Sequence, residues 1–160
     1  LMKSVVIYYT FEGNTRYVAE KIAARMGADI LELVIQADTP PRKKRSIFRK
    51  RMRRASVDST KLSSYQFNPA KYNTAILCIP VWSSGITSPI RTFLKENRLQ
   101  GMKVGCVFCT CGVNLISDFM DIQPMIGISD LSAELTLIDP MSWPEQELDE
   151  NIKDFCQKFQ

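Results

Sequence analysis

Near its start the chain changes character abruptly, and this change constrains the fold more than any other feature. Val5-Val6-Ile7-Tyr8-Tyr9 is a continuous β-branched and aromatic run, the pattern of a strand buried on both faces. From Val18 onward the spacing is helical. Val18, Ala19, Ile22, Ala23 and Met26 share one face, while Arg16, Glu20, Lys21 and Arg25 take the other. Gly27 is placed to end that helix. Thr10-Phe11-Glu12-Gly13-Asn14-Thr15 is therefore a tight strand-to-helix turn. The unpaired N–H groups of a helix start and the positive end of its dipole point outward together, which attracts an anion. Gly13 lets the backbone come close, and the Thr10 and Thr15 hydroxyls add neutral donors. A phosphate suits such a turn. The same residues also read as a capped turn with no ligand, because Thr and Asn commonly cap helices.

The chain of 160 residues is long enough for one domain, 1–160, with a substantial core. No apolar run approaches the ~20 residues that span a bilayer, and the start lacks a signal-peptide pattern. A cytoplasmic, reducing setting is the resulting expectation. Of the five cysteines, at least three lie in apolar runs, so buried free thiols are expected. Cys109-Thr110-Cys111 does not have zinc-knuckle spacing. The chain has no histidine, which removes Ser-His-Asp and Cys-His nucleophile systems, His-ligated metals and the usual general base. Any chemistry is then expected from a cofactor.

The net charge of +4 hides an uneven distribution. Arg42, Lys43, Lys44, Arg45, Arg49, Lys50, Arg51, Arg53 and Arg54 lie in one short strip without an acid. Setting those nine aside leaves 12 basic residues against 17 acidic ones, so the rest of the chain carries about −5. The strip reads either as a solvated surface segment or as a docking site for an anionic partner, such as an acidic redox protein or a phosphorylated ligand. With a single interleaved aromatic, it gives little support to nucleic-acid binding.

Asp29–Val34 mixes polar and apolar residues, as an edge strand does. The crossover 40–72 follows, with Leu62, Tyr65 and Phe67 as anchors onto the sheet. Asn73–Ile79 is a second apolar strand, closed by Pro80. Ser88 and Pro89 mark a helix start as N-cap and first helical residue. Val104–Cys109 is a third apolar strand, and a helix is expected around 115–127 despite Pro124. Ala133–Ile138 alternates like an edge strand, and a last helix opens at Pro144-Glu145 with Leu148, Ile152, Phe155, Cys156 and Phe159 inward. Apolar strands belong in the centre of a parallel sheet and mixed ones at its edges. The expected fold is thus α/β, three-layered, with five parallel strands in the order 2-1-3-4-5 and helices on both faces.

Val6-Ile7-Tyr8 followed by Thr10, Gly13, Thr15, Ala19 and Ile22 resembles the flavodoxin signature, and Pro80–Leu94 is similar to the corresponding loop and helix of bacterial flavodoxin-like proteins. The resemblance implies an FMN-binding electron carrier. Flavodoxins are themselves the standard example of the 2-1-3-4-5 order, with FMN at the switch point between strands one and three, so that placement is implied by the resemblance. It makes Thr10, Phe11, Glu12, Gly13, Asn14 and Thr15 the phosphate loop. Glu12 departs from the hydroxyl residue common there, and is expected to turn away from the phosphate. Pro80, Val81, Trp82, Ser83, Ser84 and Gly85 form the second loop, where Trp82 offers a plane for a flat ring. Thr110, Cys111 and Gly112 form the third. Gly85 is the candidate for a peptide that rotates toward the flavin on one-electron reduction. An FMN-dependent NAD(P)H:quinone-type oxidoreductase and a flavin-free binding module of the same fold are the alternatives. A redox partner protein or an NAD(P)H-linked reductase is the expected partner.

Overall fold

The computed structural model describes residues 3–36, 60–82, 85–111 and 122–160, apart from the Trp82 side chain. β1 (Lys3–Tyr8), β2 (Asp29–Glu32), β3 (Tyr72–Trp82), β5 (Lys103–Thr110) and β6 (Ala133–Ile138) form one parallel sheet, with β4 (Gly85–Ile86) attached to β3 alone. The order β2-β1-β3-β5-β6 is the expected one, with the three apolar runs in the centre. Val6, for instance, lies beside Ile30 on one side and Ile76 on the other. The expected set was wholly parallel, whereas β4 runs antiparallel to β3 and sets Gly85 opposite Trp82. Gly85 has φ +93°, a conformation that favours glycine and that the reversal places here.

Strand alternation divides the core into two layers. Ile7, Leu77, Ile79, Cys106 and Phe108 meet α2 (Ser88–Glu96) and α3 (Ile122–Ile126) through Ile90, Phe93, Ile122 and Ile126. Val6, Tyr8, Ile76, Cys78, Val107 and Cys109 meet α1 (Asn14–Met26) and α4 (Glu145–Gln157). A strand that feeds both layers must be apolar at every position, which explains the unbroken runs. Gly105 lets α4 lie close: a Cβ there would stand 2.5 Å from Phe159 Cζ and 2.9 Å from Phe155 Cζ. Lys21 on α1 pairs with Asp149 at 2.8 Å and Glu145 at 3.1 Å on α4.

The aromatic anchors of the crossover pack as expected. The Phe67 ring stands edge-on to Phe93 at 5.2 Å, and Tyr65 lies 5.7 Å from the same ring. The Tyr65 hydroxyl donates to Glu96 at 2.6 Å and accepts from Asn97 Nδ2 at 2.7 Å. Burial, with the neighbouring Glu96 carboxylate, pushes its pKa up to about 12.

Three details differ from the expectations drawn from the sequence. β3 continues through Pro80 to Trp82. The last β3 residue with a β1 partner is Cys78, so beyond it a missing N–H breaks no bond on that side. The N-cap of α2 is Thr87, and Ser88 lies inside the helix, where its hydroxyl donates to Thr60 Oγ1 at 2.6 Å. Of the helix expected around 115–127, the described part, Ile122–Ile126, is helical through Pro124, and the positions before it lie outside the described residues. β2 ends at Glu32, although the Leu33 N–H still reaches Tyr8 O at 2.7 Å. The basic strip from Arg42 to Arg54 lies outside the described residues.

Candidate functional site

The carboxyl ends of β1, β3 and β5 frame an open cleft at the point where the strand order reverses. Thr10, Phe11, Glu12, Asn14 and Thr15 supply one wall, Pro80 and Val81 the floor beside it, and Cys109, Thr110 and Cys111 the other wall. The structure thus brings the three expected loops together. Gly13 and Gly85 do not line the cleft, while Ser83, Ser84, Gly112 and the Trp82 side chain lie outside the described residues. Glu12, expected to turn away from a phosphate, is exposed and borders the cleft.

The geometry of the first turn bears on the two readings of its sequence. The N-cap of α1 is Gly13, with φ +104° and no side-chain cap bond. Thr10 Oγ1 instead accepts the Gly13 N–H at 3.0 Å, which closes the turn. The Gly13 N–H, one of the expected anion donors, is therefore committed within the turn. The first helical bond runs from Tyr17 N–H to Gly13 O at 3.0 Å, leaving the N–H groups of Asn14, Thr15 and Arg16 without a partner among the described residues. The first turn of α1 contains no acid. Nothing lies within 4 Å of where a Gly13 Cβ would stand, so the backbone is open to approach. Asn14 Oδ1 is buried and finds no partner among the described residues.

These features fit a phosphate. The helix start offers free amide donors and its dipole, Thr10 and Thr15 are both nearly buried in the wall with hydroxyl oxygens, and the helix adds no competing carboxylate. Arg16 is engaged elsewhere, donating from Nε to Tyr8 Oη at 3.3 Å and from Nη2 to Glu32. The site accordingly relies on neutral donors.

The sequence reading missed Cys109. It is the last residue of β5 that faces the α1 layer, is 4% exposed, and lines the cleft together with Thr15. Burial pushes its thiol up to about 12. Strand parity could have found it, since Val107 and Cys109 alternate toward the α1 layer. Cys111, by contrast, is the exposed member of the five free cysteines. The third loop is tied to the sheet edge through Asp139, whose N–H donates to Thr110 O at 2.7 Å.

A doubly wound parallel sheet with an anion-binding turn at its switch point defines a class of nucleotide-binding domains. The Flavodoxin family model matches residues 3–127, and the chain belongs to that family. Among solved structures, a flavoprotein of Bacteroides eggerthii is 18% identical and superposes with a TM-score of 0.72, covering 97% of this chain and 98% of its own. A flavoprotein of Bacteroides uniformis, also 18% identical, gives 0.73 over 95% and 98%. A flavoprotein of Lactobacillus acidophilus in complex with FMN, 17% identical, gives 0.66 over 97% and 99%. At these identities the likeness is one of fold. No curated protein matches the chain.

Proposed function

We propose that the chain binds FMN in this cleft and works as an electron carrier of the flavodoxin type. The observation that carries the reading is the turn ahead of α1, with its unpartnered amides, its acid-free first turn and its two threonine hydroxyls. Membership of the flavodoxin family and the likeness to an FMN-bound flavoprotein support FMN over other phosphorylated ligands. Bound FMN supplies the redox chemistry, taking up and returning electrons. The chain's part is to hold and orient it. Thr10, Thr15 and the Asn14 and Thr15 amides hold the phosphate, while Pro80, Val81, Thr110 and Cys111 flank the space that a ring system would enter. Gly85, already at φ +93°, allows the peptide before it to rotate.

The test is the absorption spectrum of the purified protein, before and after FMN is added. A bound-flavin spectrum with saturable FMN titration is expected. A protein that binds neither FMN nor riboflavin is the flavin-free module instead. Reduction of the bound flavin by NAD(P)H alone, without a partner, would replace the carrier reading with the oxidoreductase one.

Arg42, Lys43, Lys44, Arg45, Arg49, Lys50, Arg51, Arg53 and Arg54 are proposed to receive an anionic partner, supported by their charge against an acidic remainder. The described residues on either side of this segment meet beyond the carboxyl end of β2, where Gln36 N–H donates to Lys61 O at 2.9 Å. Neutralising Arg49, Lys50, Arg51, Arg53 and Arg54 should flatten the salt dependence of electron transfer to an acidic partner. Kinetics unchanged by the substitutions at every ionic strength would remove this role.

A further inference from the structure

We propose that Arg16 and Glu32 form an affinity-setting pair beside the phosphate subsite: the Arg16 guanidinium attracts the bound phosphate through space, and Glu32 holds that attraction down. The inference rests on the phosphate reading of the cleft. Arg16 is the third residue of α1, and its own amide is one of those without a partner among the described residues at the helix start. Its side chain turns toward the sheet. Nε donates to Tyr8 Oη at 3.3 Å, and Nη2 donates to Glu32. Tyr8 and Glu32 are register partners and the last residues of β1 and β2, so two adjacent strand ends grip one guanidinium.

A cation in the first turn of a helix stands at the wrong end of the dipole, and a nearby anion offsets that cost. Glu32 is that anion in the structure. A phosphate held by the first-turn amides would be a second, and the two would share one cation. The amide that faces the anion and the guanidinium belong to the same residue, so the two charges lie about one side-chain length apart. That is within the ~8–10 Å over which salt leaves charges unscreened. Glu32 touches the guanidinium and cancels most of its field at the turn. The two side chains are 47% and 35% exposed, so their bond adds little to stability. Its consequence is electrostatic, at a subsite whose other donors are neutral.

FMN and riboflavin affinities of Glu32→Gln, Arg16→Gln, Arg16→Lys and the double variant Arg16→Gln/Glu32→Gln, at low and high salt, test the proposal. In Glu32→Gln the amide oxygen can still accept from Nη2 and only the charge is lost. FMN should then bind about two- to fivefold tighter, the effect of charges roughly 8 Å apart in water. Arg16→Gln leaves Glu32 unopposed beside the turn and should weaken FMN by a similar factor. Arg16→Lys keeps the charge and should recover most of that loss, and the double variant should return to within about twofold of the unaltered protein. Riboflavin, which lacks the phosphate, should not respond. The FMN differences should vanish at about 1 M salt, where the screening length is ~3 Å. A packing role would instead make both single substitutions weaken binding, for either flavin and at any salt. Thermal melts of the apoproteins check folding; if Arg16→Gln does not fold, Arg16→Lys and Glu32→Gln carry the comparison. Weaker or unchanged FMN binding in Glu32→Gln, an equal response of riboflavin, or differences that survive high salt would each overturn the proposal. If Thr15→Val left FMN binding unchanged, the phosphate reading would fall and this inference with it. A Thr15 effect without tighter binding in Glu32→Gln would overturn this inference alone.

Discussion

The turn after β1 and the turn after β3 stand side by side at the same end of the sheet, and each holds a glycine at positive φ. Gly13 has φ +104° and Gly85 has φ +93°. They are otherwise built on opposite plans. The first turn is local: Thr10 closes it on Gly13, the helix begins at once, and its free amides follow from helix geometry. The second is held from outside: β4 folds back on β3, and α2 is tied through Ser88 and Thr92 to Thr60, whose oxygen atoms accept at 2.6 and 2.9 Å. A turn that leaves free amides can therefore be written into a few consecutive residues. A surface for a ring needs several chain segments to arrive together.

The largest expected effect sits in the local turn. Thr15→Val keeps the shape and removes a donor to a charged group, so FMN affinity should fall about ten- to hundredfold while riboflavin affinity hardly changes. Titration of both flavins into the apoprotein reads the difference. Equal losses for the two flavins would mean that the first turn is no more specialised for phosphate than the second.

A smaller effect concerns the wall that faces both turns. Cys111 is the exposed thiol among four buried ones and lines the cleft. Saturating FMN should slow its alkylation by iodoacetamide about tenfold or more, as burial of a reactive thiolate does. Mass spectrometry locates the adduct. Alkylation at an unchanged rate would place the ligand away from the third loop.

Gly85→Ala addresses the second turn. The added Cβ would meet only Arg91 Nη2 at 3.9 Å, an ordinary contact, so the cost is conformational. Roughly 1–2 kcal/mol of stability should be lost, measurable by denaturant unfolding of the apoprotein. If the peptide rotates during the redox cycle, the two one-electron potentials of the FMN-loaded variant should shift unequally. Equal shifts would leave the turn with a structural role only.

The smallest effect lies in the tertiary scaffold of the second turn. Tyr65→Phe removes the hydroxyl that links the crossover to Glu96 and Asn97, and should cost about 0.5–1.5 kcal/mol. The folded state favours the neutral phenol, whose pKa stands at about 12 against 10.0 ordinarily. Its contribution is therefore full below pH 10 and fades as pH rises toward 12. Urea midpoints of both proteins across that range should converge. Parallel curves would show that this hydroxyl does not hold the crossover.

The two turns also differ in how far they could be read in advance. The place of the first, between β1 and a helix opening after Gly13, was legible, since a change of periodicity and a glycine are local signals. What was not legible was the use of the Gly13 N–H inside the turn. The strand order was legible too, because burial on both faces demands an apolar residue at every position and edge strands do not. Pro80 misled: past the Cys78 pairing a missing N–H costs no bond to β1, while pairing with β5 carries the strand on to Pro80 opposite Cys109.

The sequence by itself determined the sheet, its central strands and the strand-to-helix turn after β1, since these follow from periodicity and from the glycine that opens the helix. Only the tertiary structure decided that β3 runs past Pro80, that Ser88 serves Thr60, and that Cys109 shares the cleft with Thr15. The physical reason is range. Periodicity records which face of an element is buried, but not which side chain of another segment it will meet, and a single hydrogen bond such as that from Ser88 to Thr60 leaves no mark on the local pattern of either.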